Sequence, residues 1–136
     1  LPIDVVCGDA LKDKLNVFRC DINQIPPNKM VLDIGDKTIL EIKSYISSAK
    51  TIMWNGPLGA FEYSPYEKSS IEIANKIKEN FERNNTPSLA GGGDTISAIK
   101  LAKAELGFSY ISKAGGAFLE WIEGKSSPGV DALKNN

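Results

Sequence analysis

The chain has 136 residues, of which 42% are hydrophobic and 24% charged, a size and composition typical of one globular domain. Its 16 basic and 17 acidic side chains leave a net charge of -1 without blocks of like charge, which argues against a nucleic-acid partner or a polybasic membrane anchor. The sequence contains no histidine, so Ser-His-Asp and Cys-His catalysis and histidine zinc sites are excluded. Any chemistry must rest on carboxylates, lysines, hydroxyls and backbone N–H groups.

The two cysteines and the start of the chain indicate the compartment. Cys7 and Cys20 lie in or beside apolar, strand-like runs and form no Cys-x-x-Cys pair, which argues against a disulfide framework or a structural metal site. A reducing, cytoplasmic location is expected, because the sequence shows neither a membrane span nor a signal peptide. The chain begins at Leu1 rather than at methionine, so we expect it to be part of a longer protein.

Short apolar runs alternate with helical patterns along the chain, an order typical of βα units and a mainly parallel sheet. The predicted strands are Ile3–Cys7, Val17–Cys20, Thr51–Trp54, Pro87–Ala90 and Phe108–Ile111. Apolar residues at helical spacing predict four helices, at Asp36–Ser48, Glu67–Phe81, Asp94–Leu106 and Gly115–Glu123. The sequence therefore predicts an α/β fold.

Two further segments are predicted to lack helix and strand. Pro26 and Pro27 forbid a helix through Asn23–Lys29, which is expected to be a connecting loop. The polar segment Ser126–Asn136 is expected to be a surface tail. Neither segment divides the chain, so one domain over residues 1–136 is the simplest prediction.

The segment Leu89–Thr95 runs from a predicted strand through three glycines into a predicted helix. Glycines let backbone N–H groups approach an anion, and a helix N-terminus adds unpaired donors, so this turn suits a phosphate. Asp94 beside a phosphate would be repulsive unless a divalent cation lay between them, which indicates Mg²⁺. The spacing alone equally allows Asp94 to cap the helix while the glycines form a tight turn.

Two more turns follow predicted strands. Gly115-Gly116 opens an apolar helix, which fits either a close helix–strand packing point or a set of backbone donors for a transition state. In Trp54–Glu62, the Asn55 amide can donate to a phosphate oxygen and the Glu62 carboxylate can accept from sugar hydroxyls. The alternative for this segment is a structural loop with Trp54 and Phe61 in the core.

Taken together, Trp54–Glu62, Gly91–Thr95 and Gly115-Gly116, in this order, resemble the phosphoglycerate kinases. The segments Leu1–Val6 and Leu32–Gly35 also match that family, as do Leu119-Glu120, Glu123–Lys125 and Pro128–Val130, so the resemblance spans essentially the whole chain. It implies a Rossmann-like domain with a mainly parallel sheet and flanking helices. Residues 1–136 would be the later portion of the C-terminal nucleotide-binding domain of a two-domain kinase, and hence an incomplete domain.

The resemblance implies a glycolytic enzyme, monomeric at full length, that moves a phosphoryl group between 1,3-bisphosphoglycerate and Mg-ADP, or from ATP to 3-phosphoglycerate in reverse. The N-terminal domain that binds the phosphoglycerate would lie outside this chain. By the same resemblance Glu62 would bind the ribose, with Asn55 and Pro57 contacting phosphate and sugar. The nucleotide turn would comprise Gly92, Gly93, Asp94 and Thr95, with Asp94 holding Mg²⁺.

Gly115 and Gly116 would be the catalytic donors that direct backbone N–H groups at the transferring phosphoryl group. Met30 and Leu32 would lie near the adenine. The chain departs from the family pattern where Lys113 replaces threonine, Ala114 replaces glycine and Val31 replaces a frequent glycine. The Lys113 side chain could contact the phosphoryl group or point to solvent, and Ala114 would be strained if its position needs a positive φ.

Two functions from other classes compete with this interpretation. The chain could be a nucleotide-binding module that performs no chemistry alone, since the phosphoryl acceptor and its cationic clamp belong to segments absent here. A dinucleotide oxidoreductase is disfavoured, because no Gly-x-Gly-x-x-Gly follows the first predicted strand.

Overall fold

The computed structural model describes residues 1–12, 14 and 16–125. The described residues form strands β1 (Asp4–Gly8), β2 (Phe18–Asp21), β3 (Met30–Ile34), β4 (Ile52–Asn55), β5 (Ser88–Gly91) and β6 (Tyr110–Ser112). The helices are α1 (Asp36–Ser48), α2 (Lys68–Asn84), α3 (Gly93–Leu101) and α4 (Gly115–Ile122), with short 3-10 helices at Ile22–Gln24 and Glu105–Gly107. The tail predicted at Ser126–Asn136 lies outside the described residues.

Six strands form two separate three-stranded sheets in the described part of the chain. Strands β4, β5 and β6 lie side by side in parallel, with Trp54 opposite Ala90 and Ala90 opposite Ile111. Helices flank these parallel strands, so the α/β prediction is confirmed.

The second sheet is antiparallel, in the order β2-β1-β3, and was not predicted. Two of its strands were expected from the sequence, but β3 was missed. Residues 9–17 are too few to form the helical crossover that parallel neighbours need, so β1 and β2 pair as antiparallel neighbours.

Helices α1 and α4 agree with prediction to within one residue, whereas α2 continues past the predicted Phe81 to Asn84, and α3 ends at Leu101 instead of Leu106. The backbone becomes left-handed at Lys103, with φ 53°, and the chain then enters the 3-10 helix at Glu105–Gly107. Leu106, the last residue of the predicted helix, is consequently 82% exposed. Helix α4 ends at Ile122 and is followed by Gly124 with φ 75°, the conformation that commonly terminates helices.

The main core lies between the parallel sheet and helices α1, α2 and α3. Trp54 of β4 packs against Phe108, with ring centroids 6.2 Å apart. The helices contribute the apolar faces that the periodicity predicts, including Ile39, Ile46, Ile73, Ile77 and Ile99. Burial of these side chains stabilises the parallel sheet, and the three glycine-containing turns follow the ends of its strands.

Two buried carboxylates hold the N-termini of α1 and α2. Asp4 of β1 is 6% exposed and accepts hydrogen bonds from Lys37 N (3.1 Å), Thr38 N (2.9 Å) and Thr38 Oγ1 (2.8 Å). Asp33 of β3 accepts in the same way from the N–H and hydroxyl of Ser69. Both helix starts are therefore capped by strands distant in sequence.

The two carboxylates differ in their proton affinity. Burial raises the pKa of Asp4, but the hydrogen bonds from Thr38 and Lys37 outweigh it, so its pKa lies below the ordinary value of 3.8. For Asp33 burial dominates over the hydrogen bonds from Ser69 and raises the pKa.

A Cβ at position 35 would overlap the Asp4 carboxyl group, so only glycine fits at the start of α1.

Replacing Asp4 with alanine is expected to lower the free energy of unfolding by about 2 kcal/mol at pH 7, because the buried N–H groups of Lys37 and Thr38 lose their acceptor. Urea denaturation of the two proteins measures this difference. The folded-state pKa of Asp4 is lowered, so its contribution is complete above pH 3.8 and is lost as the pH falls through the folded-state value.

Asp21→Ala is the matched control, because Asp21 makes only an exposed ion pair with Lys37 and should cost less than about 1 kcal/mol. Equal losses in the two variants, or a wild-type advantage over Asp4→Ala that is undiminished at pH 3, would contradict the capping role.

Candidate functional site

The three glycine-containing turns lie at one edge of the parallel sheet. Strand β4 ends at Asn55, β5 at Gly91 and β6 at Ser112, and each turn begins directly after its strand. Open α/β sheets bind their ligands at the carboxyl ends of their strands. All three turns therefore share the edge of the sheet at which a ligand is expected.

The turns after β5 and β6 contact each other because each has a glycine at the point of contact, Gly92 in the first turn and Gly115 in the second. Gly92 has φ +95°, and its N–H donates to the Ser112 carbonyl at 3.1 Å. A Cβ built on Gly115 would lie 3.1 Å from the Gly92 Cα, and one on Gly92 would lie 3.5 Å from Asn55 Oδ1. Residues from all three strand ends thus meet at Gly92. A side chain at Gly115 would press against the Gly92 Cα, and a side chain at Gly92 would be strained by the positive φ.

Gly93 and Gly116 face open space. A Cβ built on either would have nothing within 4 Å. Gly93 begins α3 and Gly116 is the second residue of α4, so both lie in first helical turns, whose N–H groups have no partner within the helix. Two helix N-termini with positive partial charge therefore flank the same edge.

Thr95 joins the β4 turn to α3. Its side chain is 1% exposed, and its Oγ1 accepts a hydrogen bond from Gly56 N at 2.7 Å. The Trp54 indole donates to the carbonyl of the same glycine at 2.6 Å. Thr95 therefore holds the loop in place, a contact that no pattern in the sequence predicts. Gly56, which has φ +95°, lies within the Trp54–Glu62 segment but was not predicted to be a site residue.

Hydrogen bonds to α2 on one side and to β3 on the other hold the remainder of the Trp54–Glu62 segment. Ser70 Oγ of α2 accepts from Leu58 N at 2.8 Å and donates to Leu58 O at 2.7 Å, and Ala60 N donates to the Leu32 carbonyl at 2.7 Å. Ser70 was missed by sequence reasoning, since nothing near it in sequence marks it as a partner of this loop.

Pro57 and Glu62 differ in their exposure on this loop. Pro57 is half-buried, whereas Glu62 is exposed on a turn closed by Tyr63 N donating to Ala60 O at 2.8 Å. Ala60, two residues before Glu62, is hydrogen-bonded to Leu32 of β3, so this end of the loop lies beside β3.

The residues expected near the adenine differ in how far their side chains are exposed. Met30 and Val31 are 46% and 50% exposed. Leu32 is 6% exposed and packs with Val6 and Tyr66 in a second apolar cluster. The exposed apolar surface of β3 therefore comes from Met30 and Val31, and it adjoins the loop that carries Glu62.

Asp94 lies exposed in the first turn of α3, directly after the glycine turn. Among residues 1–12, 14 and 16–125, no group of three or more Cys, Asp or Glu side chains could hold a metal ion. Mg²⁺ differs from most protein-bound metals in taking one or two carboxylates together with substrate phosphates and water. A single carboxylate beside a phosphate-binding turn therefore fits Mg²⁺.

The departures at the start of α4 are accommodated without strain. Ala114 is not among the residues with positive φ, and its N–H donates to Ser112 Oγ at 3.2 Å. Alanine therefore fits where the family pattern has glycine. Lys113 is exposed, and its side chain has room to point toward the phosphoryl group or toward solvent.

Within the described residues, no helix has the length and hydropathy needed to cross a lipid bilayer.

Glycine turns and helix N-termini lie together at the carboxyl edge of parallel strands, the arrangement at which open α/β proteins bind phosphate-containing ligands. Residues 1–125 match the family model described as phosphoglycerate kinase, and the chain belongs to this family. It is 43% identical over 134 residues to the phosphoglycerate kinase of Chelativorans sp. and 46% identical over 133 residues to that of Bartonella tribocorum. Each alignment covers 98% of this chain and 34% of the relative.

Solved structures give the same result. The phosphoglycerate kinase of Coxiella burnetii superimposes with a TM-score of 0.84 at 34% identity, over 92% of this chain and 32% of that protein. For the enzyme of Pyrococcus horikoshii the TM-score is 0.75 at 26% identity, over 98% and 32%. The chain thus spans about a third of the length of the relatives it matches.

Proposed function

We propose that this chain supplies the Mg-nucleotide site and part of the transition-state stabilisation of a phosphoglycerate kinase. The reaction would transfer a phosphoryl group between 1,3-bisphosphoglycerate and ADP in glycolysis. The observation that carries the proposal is the contact between Gly92 and Gly115, which brings the N-termini of α3 and α4 to one edge of the sheet. An anion with several oxygens can accept from both helices at once.

In this proposal the nucleotide lies along the edge from α3 to β3. The backbone N–H group of Gly93 and the Asn55 amide donate to phosphate oxygens, while Pro57 contacts phosphate and sugar. Gly92, whose N–H donates to the Ser112 carbonyl, contributes by having no side chain, which lets the phosphate approach the turn. The exposed Glu62 carboxylate accepts hydrogen bonds from the ribose hydroxyls. The exposed side chains of Met30 and Val31 point to opposite faces of β3, and the one on the face toward Glu62 would provide apolar surface for the base.

Thr95 belongs to the same turn and supports it through a buried side-chain hydrogen bond. Its hydrogen bond to Gly56 N keeps the loop after β4 at a fixed distance from α3. Asn55 and Gly92 thereby retain their relative positions when the nucleotide binds, which limits the ordering that binding must impose.

Asp94 would hold Mg²⁺ between its carboxylate and the phosphate oxygens. When bound, the ion neutralises negative charge that develops on the phosphates during transfer. Gly115 and Gly116 would donate backbone hydrogen bonds to the equatorial oxygens of the transferring group, where donors already in place stabilise the transition state.

The phosphoglycerate would bind to a part of the protein outside this chain. Residues 1–136 would correspond to the later portion of the C-terminal nucleotide-binding domain of a cytoplasmic enzyme, monomeric at full length. The second candidate is a nucleotide-binding module without activity of its own, and the coverage of about a third of each relative favours keeping it.

The test compares this chain alone with a chimaera in which it replaces the matching third of the Chelativorans relative. The chimaera is expected to turn over in a coupled phosphoglycerate kinase assay, whereas the chain alone should show no measurable turnover, because the phosphoryl acceptor has no binding surface on it. Circular dichroism and Mg-ATP titration serve as controls for folding and binding.

Turnover by the chain alone near that of the Chelativorans relative would contradict the dependence on the rest of the protein. A folded chimaera that binds Mg-ATP without turnover would refute the catalytic role and favour the nucleotide-binding module.

A further inference from the structure

The two cysteines of the chain lie next to each other in the antiparallel sheet. Cys7 of β1 and Cys20 of β2 are both free thiols, and their Sγ atoms are 3.9 Å apart. The sequence contains no other cysteine. Neither side chain belongs to the proposed nucleotide site.

The strand register places both thiols on one face of the sheet. Cys20 lies opposite Val5, and Cys7 lies opposite Phe18. Side chains alternate between faces along a strand, so Cys7 shares a face with Val5 and therefore with Cys20. The two cysteines are diagonal neighbours across the β1–β2 pair.

The two thiols differ in access. Cys7 is fully buried, and burial together with the neighbouring Cys20 raises the pKa of its thiol to about 11, so it is protonated at neutral pH. Cys20 is only partly buried and lies on β2, an edge strand of its sheet. A small reagent therefore reaches Cys20 first.

The edge position of β2 allows the two sulfurs to approach. A disulfide requires the Sγ atoms to come about 2 Å closer, and diagonal neighbours have Cα atoms about 7–8 Å apart where most disulfides need less than about 7 Å. In its sheet β2 pairs only with β1, so it can shift toward Cys7 without breaking another strand pairing. The resulting bond would be strained and readily reduced, as reversible disulfides are.

We propose that Cys7 and Cys20 form a reversible intramolecular disulfide by exchange with a small disulfide such as oxidised glutathione. Cys20 Sγ, after losing its proton, attacks one sulfur of the reagent, the reagent's S–S bond breaks, and the first glutathione leaves with a proton. Cys7 Sγ then attacks Cys20 Sγ, the mixed S–S bond breaks, and the second glutathione leaves with the proton from Cys7. The two protein thiols are oxidised, and one oxidised glutathione is reduced to two thiols.

The 136-residue chain itself is suited to the test, because an intramolecular disulfide in it can join only Cys7 to Cys20. The chain is incubated in glutathione buffers from fully reduced to fully oxidised, free thiols are trapped with iodoacetamide, and the intact mass is measured. In the oxidised buffers we expect a monomer that is two hydrogens lighter and takes up no iodoacetamide, and dithiothreitol should restore both thiols. A product that stops at the mixed disulfide, a disulfide-linked dimer, or two unreacted thiols would overturn the proposal.

Two serine variants test the order of the steps. Cys7→Ser should accumulate the mixed disulfide at Cys20, because the thiol that displaces the second glutathione is missing. Cys20→Ser should leave the buried Cys7 at least tenfold slower to react than Cys20 in Cys7→Ser. Equal reaction rates in the two variants would contradict the assignment of Cys20 as the entry thiol, and circular dichroism shows whether each variant is folded.

Discussion

Replacing Gly116 with alanine is expected to lower kcat of the chimaera about 100-fold while leaving its thermal stability within a few degrees of the parent. Alanine retains the backbone N–H group, but its methyl group would keep the phosphoryl group away from that donor, and loss of one preorganised donor to a developing charge costs about 10²–10³ in rate. The added methyl group would meet no atom of the described residues within 4 Å, so these residues leave room for it. It would instead occupy the space that the transferring phosphoryl group needs beside the N–H groups of α4. Steady-state kinetics with a thermal melt measures both quantities.

Gly93→Ala is the matched control, since a methyl group there is equally free of protein contacts but lies at the start of α3. It should raise KM for the nucleotide more than it lowers kcat, because Gly93 is proposed to hold phosphates that do not react. Turnover of Gly116→Ala within threefold of the parent would refute the role of Gly116 as a donor in the transition state.

Asp94→Ala is expected to weaken Mg-ATP binding to the chimaera about 10- to 100-fold, the range for loss of a charged interaction. Binding of metal-free ATP should be unchanged or stronger, because the variant also loses a negative charge that repels the phosphates. Glu62→Ala should weaken both forms alike, about tenfold or more, since its proposed partners are ribose hydroxyls that do not depend on the metal.

Isothermal titration of each variant with ATP, in Mg²⁺ or in chelator, separates the two roles. Glu82→Ala removes an exposed carboxylate of α2 and should leave both affinities unchanged. Equal losses for Mg-ATP and metal-free ATP in Asp94→Ala would contradict the metal role. A Glu62→Ala variant that weakens only Mg-ATP would contradict the assignment of that carboxylate to the sugar.

Much of the local structure was predictable because it depends on neighbours in sequence. The isoleucine periodicity of Asp36–Ser48 gave both ends of α1, and each glycine turn was placed after the correct strand. Strand β3 was missed, since Met30–Ile34 follows a proline loop and has no alternating pattern. The end of α3 was missed because the left-handed turn at Lys103 has no glycine to mark it.

The sequence by itself determined the membership of the phosphoglycerate kinase family, the α/β class and the residue types available for chemistry, since these depend on motifs and spacing. Only the tertiary structure decided that Gly92 contacts Gly115, that Thr95 holds Gly56, and that Asp4 and Asp33 cap helices far along the chain. The same holds for the antiparallel sheet that brings Cys7 within 3.9 Å of Cys20. Each of these contacts joins strands or helices whose relative position is set by packing of the whole core, which no local pattern encodes.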